Sequence, residues 1–193
     1  MNEKQEPRKI LVLYSSPRKK GNSAALANQI VKGAESAGAN VESVYLNTMN
    51  ISACQACYAC RKEDSNGCAI DDDMQAIYPK LVECDTWVIA SPVYWFTMSA
   101  QTKLFMDRCF ALLAYDNNPF AGKRIGIAMS YGDSDPFNSG CVNALRAFQD
   151  SFHYVGANIV GMVYGSAESP GEIESNNELM RSAEELGKKL AGA

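Results

Sequence analysis

Hydrophobic residues along the chain follow two alternating rhythms. Short, nearly continuous apolar runs read as strands: Lys9-Ile10-Leu11-Val12-Leu13-Tyr14, Val41 to Leu46, Thr86-Trp87-Val88-Ile89-Ala90, Lys123 to Met129, and Asn158 to Tyr164. Between them, apolar residues recur at helical spacing. Leu26, Ile30, Val31 and Ala34 mark the first helix, which Gly38 ends. Further helices are predicted from Asp71 to about Glu83, from Ser99 to Ala114, from Gly140 to Tyr154, and from about Ser175 onward. Leu104, Phe105, Cys109 and Leu112 share one face of the third; Leu179, Ala183, Leu186 and Leu190 share the inner face of the last. Strict alternation of strand and helix, with strands apolar on both faces, predicts an α/β domain. A parallel five-stranded sheet would lie between two helical layers as a three-layer sandwich.

That domain is expected to span residues 9–193, with an irregular, Cys-rich insertion at 47–70. Residues 1–8 are polar and are expected to form a flexible tail. The carboxylates of Asp71, Asp72 and Asp73 suit the start of a helix and are read as capping.

In an open parallel sheet, ligands bind beyond the carboxyl ends of the strands. Three loops meet there. The first, Ser15-Ser16-Pro17-Arg18-Lys19-Lys20-Gly21-Asn22-Ser23, opens a helix, so backbone N–H groups and the helix dipole make an anion site. Arg18, Lys19 and Lys20 add charge, Ser16, Asn22 and Ser23 add donors, and Asn22 or Ser23 is expected to cap the helix. Neither G-x-G-x-x-G nor G-x-x-x-x-G-K-[ST] is present, so a dinucleotide or triphosphate is disfavoured and one terminal monophosphate fits better. An ordinary turn with solvated lysines is the bland alternative. The third loop offers Pro92, Val93, Tyr94, Trp95 and Phe96, and the fourth Ser130, Tyr131 and Gly132. Aromatic residues beyond a strand also suit a core or a subunit contact. Taken with the first loop, they point to a flavin.

Composition narrows the class. The chain has 193 residues, 47% hydrophobic, and a net charge of −4, which argues against a nucleic-acid partner. No apolar run reaches the roughly 18 residues of a membrane span, and the N-terminal residues lack a signal-peptide core. A cytoplasmic location is therefore expected, where thiols stay reduced. The single histidine, His153, has no nucleophile motif nearby and is read as structural. Seven cysteines are present, and Cys54, Cys57, Cys60 and Cys68 read C-x2-C-x2-C-x7-C. Such a compact run can wrap the corners of a cubane cluster, whereas zinc more often uses two separated pairs. Iron–sulfur, zinc and no metal remain open on spacing alone. Cys84, Cys109 and Cys141 are read as buried apolar residues.

Ser15-Ser16-Pro17-Arg18 with Gly21-Asn22-Ser23, then Ser91-Pro92-Val93-Tyr94-Trp95, then Lys103 with Asp107-Arg108, resemble the NADPH-dependent FMN reductases of the flavodoxin superfamily. The resemblance runs from about residue 8 to 190, and the Cys-rich segment is similar to that of the iron–sulfur flavoproteins. It implies a flavodoxin-like strand order 2-1-3-4-5 and non-covalent FMN, with Ser15, Ser16, Arg18, Asn22 and Ser23 around the phosphate. Pro92 to Phe96 would border the ring, and Ser130 to Gly132 the opposite rim. Lys103, Asp107 and Arg108 are read as structural or interfacial. The flavin carries the chemistry, so no catalytic side chain is expected. The resemblance implies an oxidoreductase, a homodimer or homotetramer, with a possible [4Fe–4S] cluster on the four cysteines. Loaded with a cluster, it would take electrons from a ferredoxin and pass them to O2, peroxide or a quinone. Cluster-free, it would use transient NAD(P)H to reduce a quinone, free flavin, or nitro or azo compound. A non-enzymatic carrier of the flavodoxin type is the other alternative.

Overall fold

The computed structural model describes residues 6–115 and 117–192. The first five positions of the expected tail, and Asp116 of the loop before Pro119, lie outside the described residues. In chain order the elements are β1 (Lys9–Tyr14), α1 (Asn22–Ser36), β2 (Asn40–Tyr45), α2 (Met74–Glu83), β3 (Thr86–Tyr94), β4 (Thr97–Met98), α3 (Ala100–Arg108), β5 (Arg124–Tyr131), α4 (Cys141–Val155), β6 (Asn158–Ser166) and α5 (Asn177–Ala191). Five strands pair in parallel in the order β2-β1-β3-β5-β6, the expected 2-1-3-4-5 arrangement of main strands.

Strand alternation sorts side chains into two cores. Leu11, Leu13, Trp87, Ile89, Ile125 and Ile127 pack with Ile77, Phe105 and Phe148 of α2, α3 and α4. The interleaved Ile10, Val12, Val88, Ala90 and Ala128 pack with Leu26, Ile30, Leu186 and Leu190 of α1 and α5. Each large side chain so buried contributes about 1.5–3 kcal/mol, and this rather than helix propensity holds the layers.

Continuous apolar strands were expected throughout, but only β1, β3 and β5 are buried along most of their length. β2 and β6 stand at the sheet edges and are partly exposed, because each edge strand has a neighbour on one side only. The third strand is also longer than its apolar run. It continues through Ser91–Tyr94 and folds back into the two-residue β4, which pairs Val93 with Met98 and Tyr94 with Thr97. The expected loop there is thus a hairpin. The helix expected from Ser99 to Ala114 is α3 as far as Arg108 and a 3-10 stretch, Cys109–Ala114, beyond it.

The helices α1 and α5 touch backbone to backbone. A Cβ on Gly33 would stand 2.0 Å from the Glu184 carbonyl oxygen, and one on Gly187 would stand 2.0 Å from that of Ile30. Two glycines therefore interlock the helix that starts at the first loop with the last helix of the chain.

Candidate functional site

A cavity of about 310 Å³ opens beyond the carboxyl ends of β1, β3, β5 and β6. Its floor is the first loop. Ser16 Oγ accepts from the Arg18 N–H at 3.1 Å, and the Gly21 N–H donates to the Arg18 carbonyl at 2.9 Å. A Cβ on Gly21 would come within 3.1 Å of that carbonyl and 3.3 Å of Ser16 Oγ, so any side chain here would have to push the loop aside by a few tenths of an ångström. Ser16, Arg18, Gly21, Asn22 and Ser23 line this side.

Gly21 is the N-cap of α1, and no side chain caps it. The expected cap from Asn22 or Ser23 is not made. The Asn22 amide instead donates to the carbonyls of Ala167 (3.2 Å) and Ser169 (3.0 Å), and its Oδ1 accepts from the Ile173 N–H at 3.4 Å. It ties the segment after β6 to the start of α1. Ser23 is 1% exposed, and its hydroxyl has no hydrogen-bond partner among the described residues. An uncapped helix start with a buried, unpartnered hydroxyl beside Arg18 is a site chemically prepared for an anion. The residues present therefore fit the phosphate end of FMN.

Ser15 lies beneath this floor and does not line the cavity. Fully buried, its hydroxyl donates to the Ala90 carbonyl at 2.8 Å and accepts from Thr102 Oγ1 at 2.7 Å and Ser99 Oγ at 3.1 Å. It joins β1, β3 and the start of α3 below the loop.

The walls divide the remaining expected residues. Pro92, Val93 and Tyr94 line the cavity, as do Ser130, Tyr131 and Gly132. Burial, then Cys141 and Tyr164 nearby, push the Tyr131 hydroxyl above its ordinary pKa. Trp95 and Phe96 stand at the hairpin tip instead, 91% and 56% exposed, and do not line the cavity. Both have positive φ, 48° and 66°, a conformation costly for aromatic residues. The tip is held from outside. Asn143 Nδ2 donates to the Phe96 carbonyl at 3.1 Å, and a Cβ on Gly140 would lie 2.5 Å from the same oxygen. Ala167, Glu168 and Pro170 complete the rim and were not foreseen; the turn signal Ser169-Pro170-Gly171 just past a strand end could have found them.

A second, larger cavity of about 740 Å³ lies under the cysteine segment, against α3 and α4. Cys54, Cys57, Cys60 and Cys68 all line it, with Phe105, Met106, Phe152 and Val155 among its apolar residues. The thiols are free; Cys54 and Cys57 are exposed, Cys60 buried and Cys68 half-buried. Burial, and then Cys68, Cys57 and Cys54 beside it, push the Cys60 thiol up. The donor chemistry, four soft thiols on one cavity, fits an iron–sulfur cluster. Among the described residues, however, no three His, Cys, Asp or Glu side chains form a ready metal-binding group.

The segment hangs from a buried ion pair. Arg108 and Asp72, with side chains 0% and 2% exposed, meet in a two-point contact of 2.6 and 3.0 Å. Asp72 also accepts from the N–H groups of Met74 (3.0 Å) and Ser52 (2.8 Å), so the expected helix-start role is combined with a charge pair that spacing did not reveal. Burial opposes the Asp72 charge, but its hydrogen bond from Arg108 and those from Ser52 and Met74 win, holding its carboxyl below the usual range. Cys84, Cys109 and Cys141 are buried as expected, and burial raises each thiol. His153 is exposed on α4 and lines neither cavity. Among the described residues no helix is long and apolar enough to cross a membrane.

Residues 8–170 match the NADPH-dependent FMN reductase family. An iron-sulfur flavoprotein of Methanosarcina thermophila is 31% identical over 185 residues, covering 94% of this chain and 93% of that protein. Another, of Archaeoglobus fulgidus, is 32% identical over 189 residues, covering 96% and 80%. Among solved structures, an NAD(P)H:quinone oxidoreductase from Methanothermobacter marburgensis superimposes with a TM-score of 0.73 at 17% identity, covering 95% of this chain and 96% of that one.

Proposed function

Since the chain belongs to the NADPH-dependent FMN reductase family and is a flavin-dependent oxidoreductase, we propose that it binds FMN non-covalently in the cavity at the carboxyl edge of the sheet. When bound, FMN supplies the redox chemistry, accepting and returning a hydride or electrons through its ring. The protein binds and orients. Arg18, Ser16, Ser23 and the first-turn N–H groups of α1 take the phosphate, and Asn22 holds the loop after β6 against them. Pro92, Val93 and Tyr94 border the ring on one side, and Ser130, Tyr131 and Gly132 on the other. Trp95 and Phe96, exposed at the hairpin tip, do not line the cavity that would hold the ring. Ser15 supports the loop from below.

The unpartnered Ser23 hydroxyl carries the phosphate assignment. Comparing FMN with riboflavin, which lacks the phosphate, tests it by fluorescence titration. FMN should bind at least about a hundredfold more tightly, from two or more charge-assisted hydrogen bonds. Equal affinities would sink the assignment.

The cysteine segment extends the reading to a [4Fe–4S] cluster on Cys54, Cys57, Cys60 and Cys68. Their spacing, their shared cavity, and the iron-sulfur flavoprotein names of two relatives support it. Anaerobic purification followed by an absorbance spectrum and iron and sulfide assays decides the matter. About four irons per chain with flavin bands would establish the loaded form, with a ferredoxin as donor and O2, peroxide or a quinone as acceptor. Flavin without iron would leave an NAD(P)H-dependent reductase, its acceptor a quinone, free flavin, or nitro or azo compound. NAD(P)H would then visit the flavin face in turn with the acceptor, since no second nucleotide motif is present. We place the working unit as a homodimer or homotetramer in the cytoplasm. Negligible steady-state NAD(P)H oxidation with a quinone would favour a flavodoxin-type carrier instead.

A further inference from the structure

Arg108 does more than neutralise Asp72. Its Nη1 donates to the Ser52 carbonyl at 2.9 Å and its Nη2 reaches the Ile70 carbonyl at 3.5 Å, while both nitrogens grip Asp72. Ser52 and Ile70 are the two stems of the segment that carries Cys54 to Cys68. One side chain of α3 therefore closes that segment at its base. A third N–H remains: Arg108 Nε is buried and has no hydrogen-bond partner among the described residues. An orphaned donor on a buried guanidinium is costly unless something that the protein binds completes it.

The surroundings identify the missing acceptor. Cys68 lies beside both Arg108 and Tyr78, close enough to act on each electrostatically, and Arg108 lines the same cavity as all four cysteines. The Tyr78 hydroxyl, buried, donates to the Arg108 carbonyl at 3.0 Å. Gln75 donates to the carbonyls of Cys68 (2.8 Å) and Ile70 (2.7 Å), fixing the second stem. Nε makes no hydrogen bond with Cys68 Sγ or any other described acceptor, so its partner has to come from a group bound in the cavity that Arg108 shares with the four cysteines. Anionic sulfur next to a fixed guanidinium would be favoured over neutral groups.

We propose that Arg108 is the positioning residue of the cysteine segment: its fork clasps the two stems, and its Nε–H is held for a sulfur of the group bound on the Cys68 side. The second half rests on the cluster reading; the clasp does not. Hydrogen bonds and positive charge at cluster sulfurs stabilise the reduced, more negative state. Arg108 would accordingly set the potential of the cluster as well as the shape of its binding segment.

The experiment compares wild type with Arg108→Lys, which keeps the charge but cannot span both stems, and with Tyr78→Phe, which removes one hydroxyl. In metal-free protein, N-ethylmaleimide labelling of each cysteine is followed by mass spectrometry. Arg108→Lys should label at Cys60 and Cys68 about tenfold faster through local opening, with Cys84 and Cys141 still protected. Tyr78→Phe should raise labelling at Cys68 and leave Cys54 unchanged. After anaerobic incubation with ferrous iron and sulfide, Arg108→Lys should hold less iron, and its cluster should show a lower midpoint potential. Unchanged labelling at Cys60 and Cys68, or labelling that rises equally at Cys84 and Cys141, would overturn the clasp. An unchanged potential in a fully loaded variant would overturn the Nε assignment. Wild-type protein that takes up no iron would remove the cluster reading and the Nε assignment together, while the labelling pattern still judges the clasp.

Discussion

Ser23 shows how one hydroxyl can connect stability and binding. Buried without a protein partner, it carries a desolvation penalty that a bound phosphate would relieve. Ser23→Ala should therefore make the flavin-free protein more stable, by about 1 kcal/mol, while weakening FMN binding by a similar amount. Chemical denaturation with and without FMN checks both signs; a loss of stability in the flavin-free form would contradict the reading. Arg18→Ala should weaken FMN by about 1.5–3 kcal/mol, as expected for a charge-assisted hydrogen bond, with little effect on the flavin-free protein. Titration of flavin fluorescence measures it. At this scale the first loop was readable, because Ser16, Arg18 and Ser23 carry their chemistry in their residue types. The separate fates of Ser15 and Asn22 were not. Both are polar residues of the same loop, and only the packing of Ala90, Thr102 and the Ala167–Ser169 carbonyls against them decides that their side chains face inward.

Among elements, the pair α1 and α5 sets where the first loop stands. Gly33→Ala would force a methyl into the Glu184 backbone, which cannot yield as a flexible side chain would. Overpacking of this kind costs about 1–3 kcal/mol or more, and here it should also displace the start of α1. We expect a lower Tm together with weaker FMN retention, whereas a change confined to the surface of α5, such as Lys189→Ala, should leave retention unaltered. Helical and strand periods made these elements legible, since Ile10 and Val12 alternate with Leu11 and Leu13 onto opposite cores. The hairpin at Tyr94–Thr97 was hidden, because Trp95 and Phe96 are poor residues for positive φ. What permits that turn is the bare backbone of Gly140, some forty residues later, and no local pattern carries such a contact.

For the whole molecule, the buried thiols predict an alkaline limit. Burial pushes Cys141 up to about 11. An unfolded thiol ionises near 8.5, so the fold favours the neutral form. The corresponding stability is fully present below about pH 8.5 and is lost as pH rises toward 11. Denaturation midpoints measured across that window should fall, and Cys141→Ala should flatten the decline even though the methyl leaves a small cavity. An identical slope in the variant would locate the effect elsewhere. The global topology was the most legible property of all, because alternating period and length suffice to specify a doubly covered parallel sheet. Least legible was the Arg108–Asp72 pair, whose partners stand 36 positions apart and whose residue types usually mark solvent-facing surface.

Because that pair closes the cysteine segment at its base, everything between Ser52 and Ile70 is mechanically a cassette. The sheet registers and the cavity at the carboxyl edge are complete without it, and of this stretch only Cys60 enters a core. A lineage, or an engineer, could lengthen, shorten or re-ligand this stretch while retaining the anchor, exchanging one redox accessory for another on an unaltered flavin chassis. The anchor itself is the one part that such grafting would have to transplant intact.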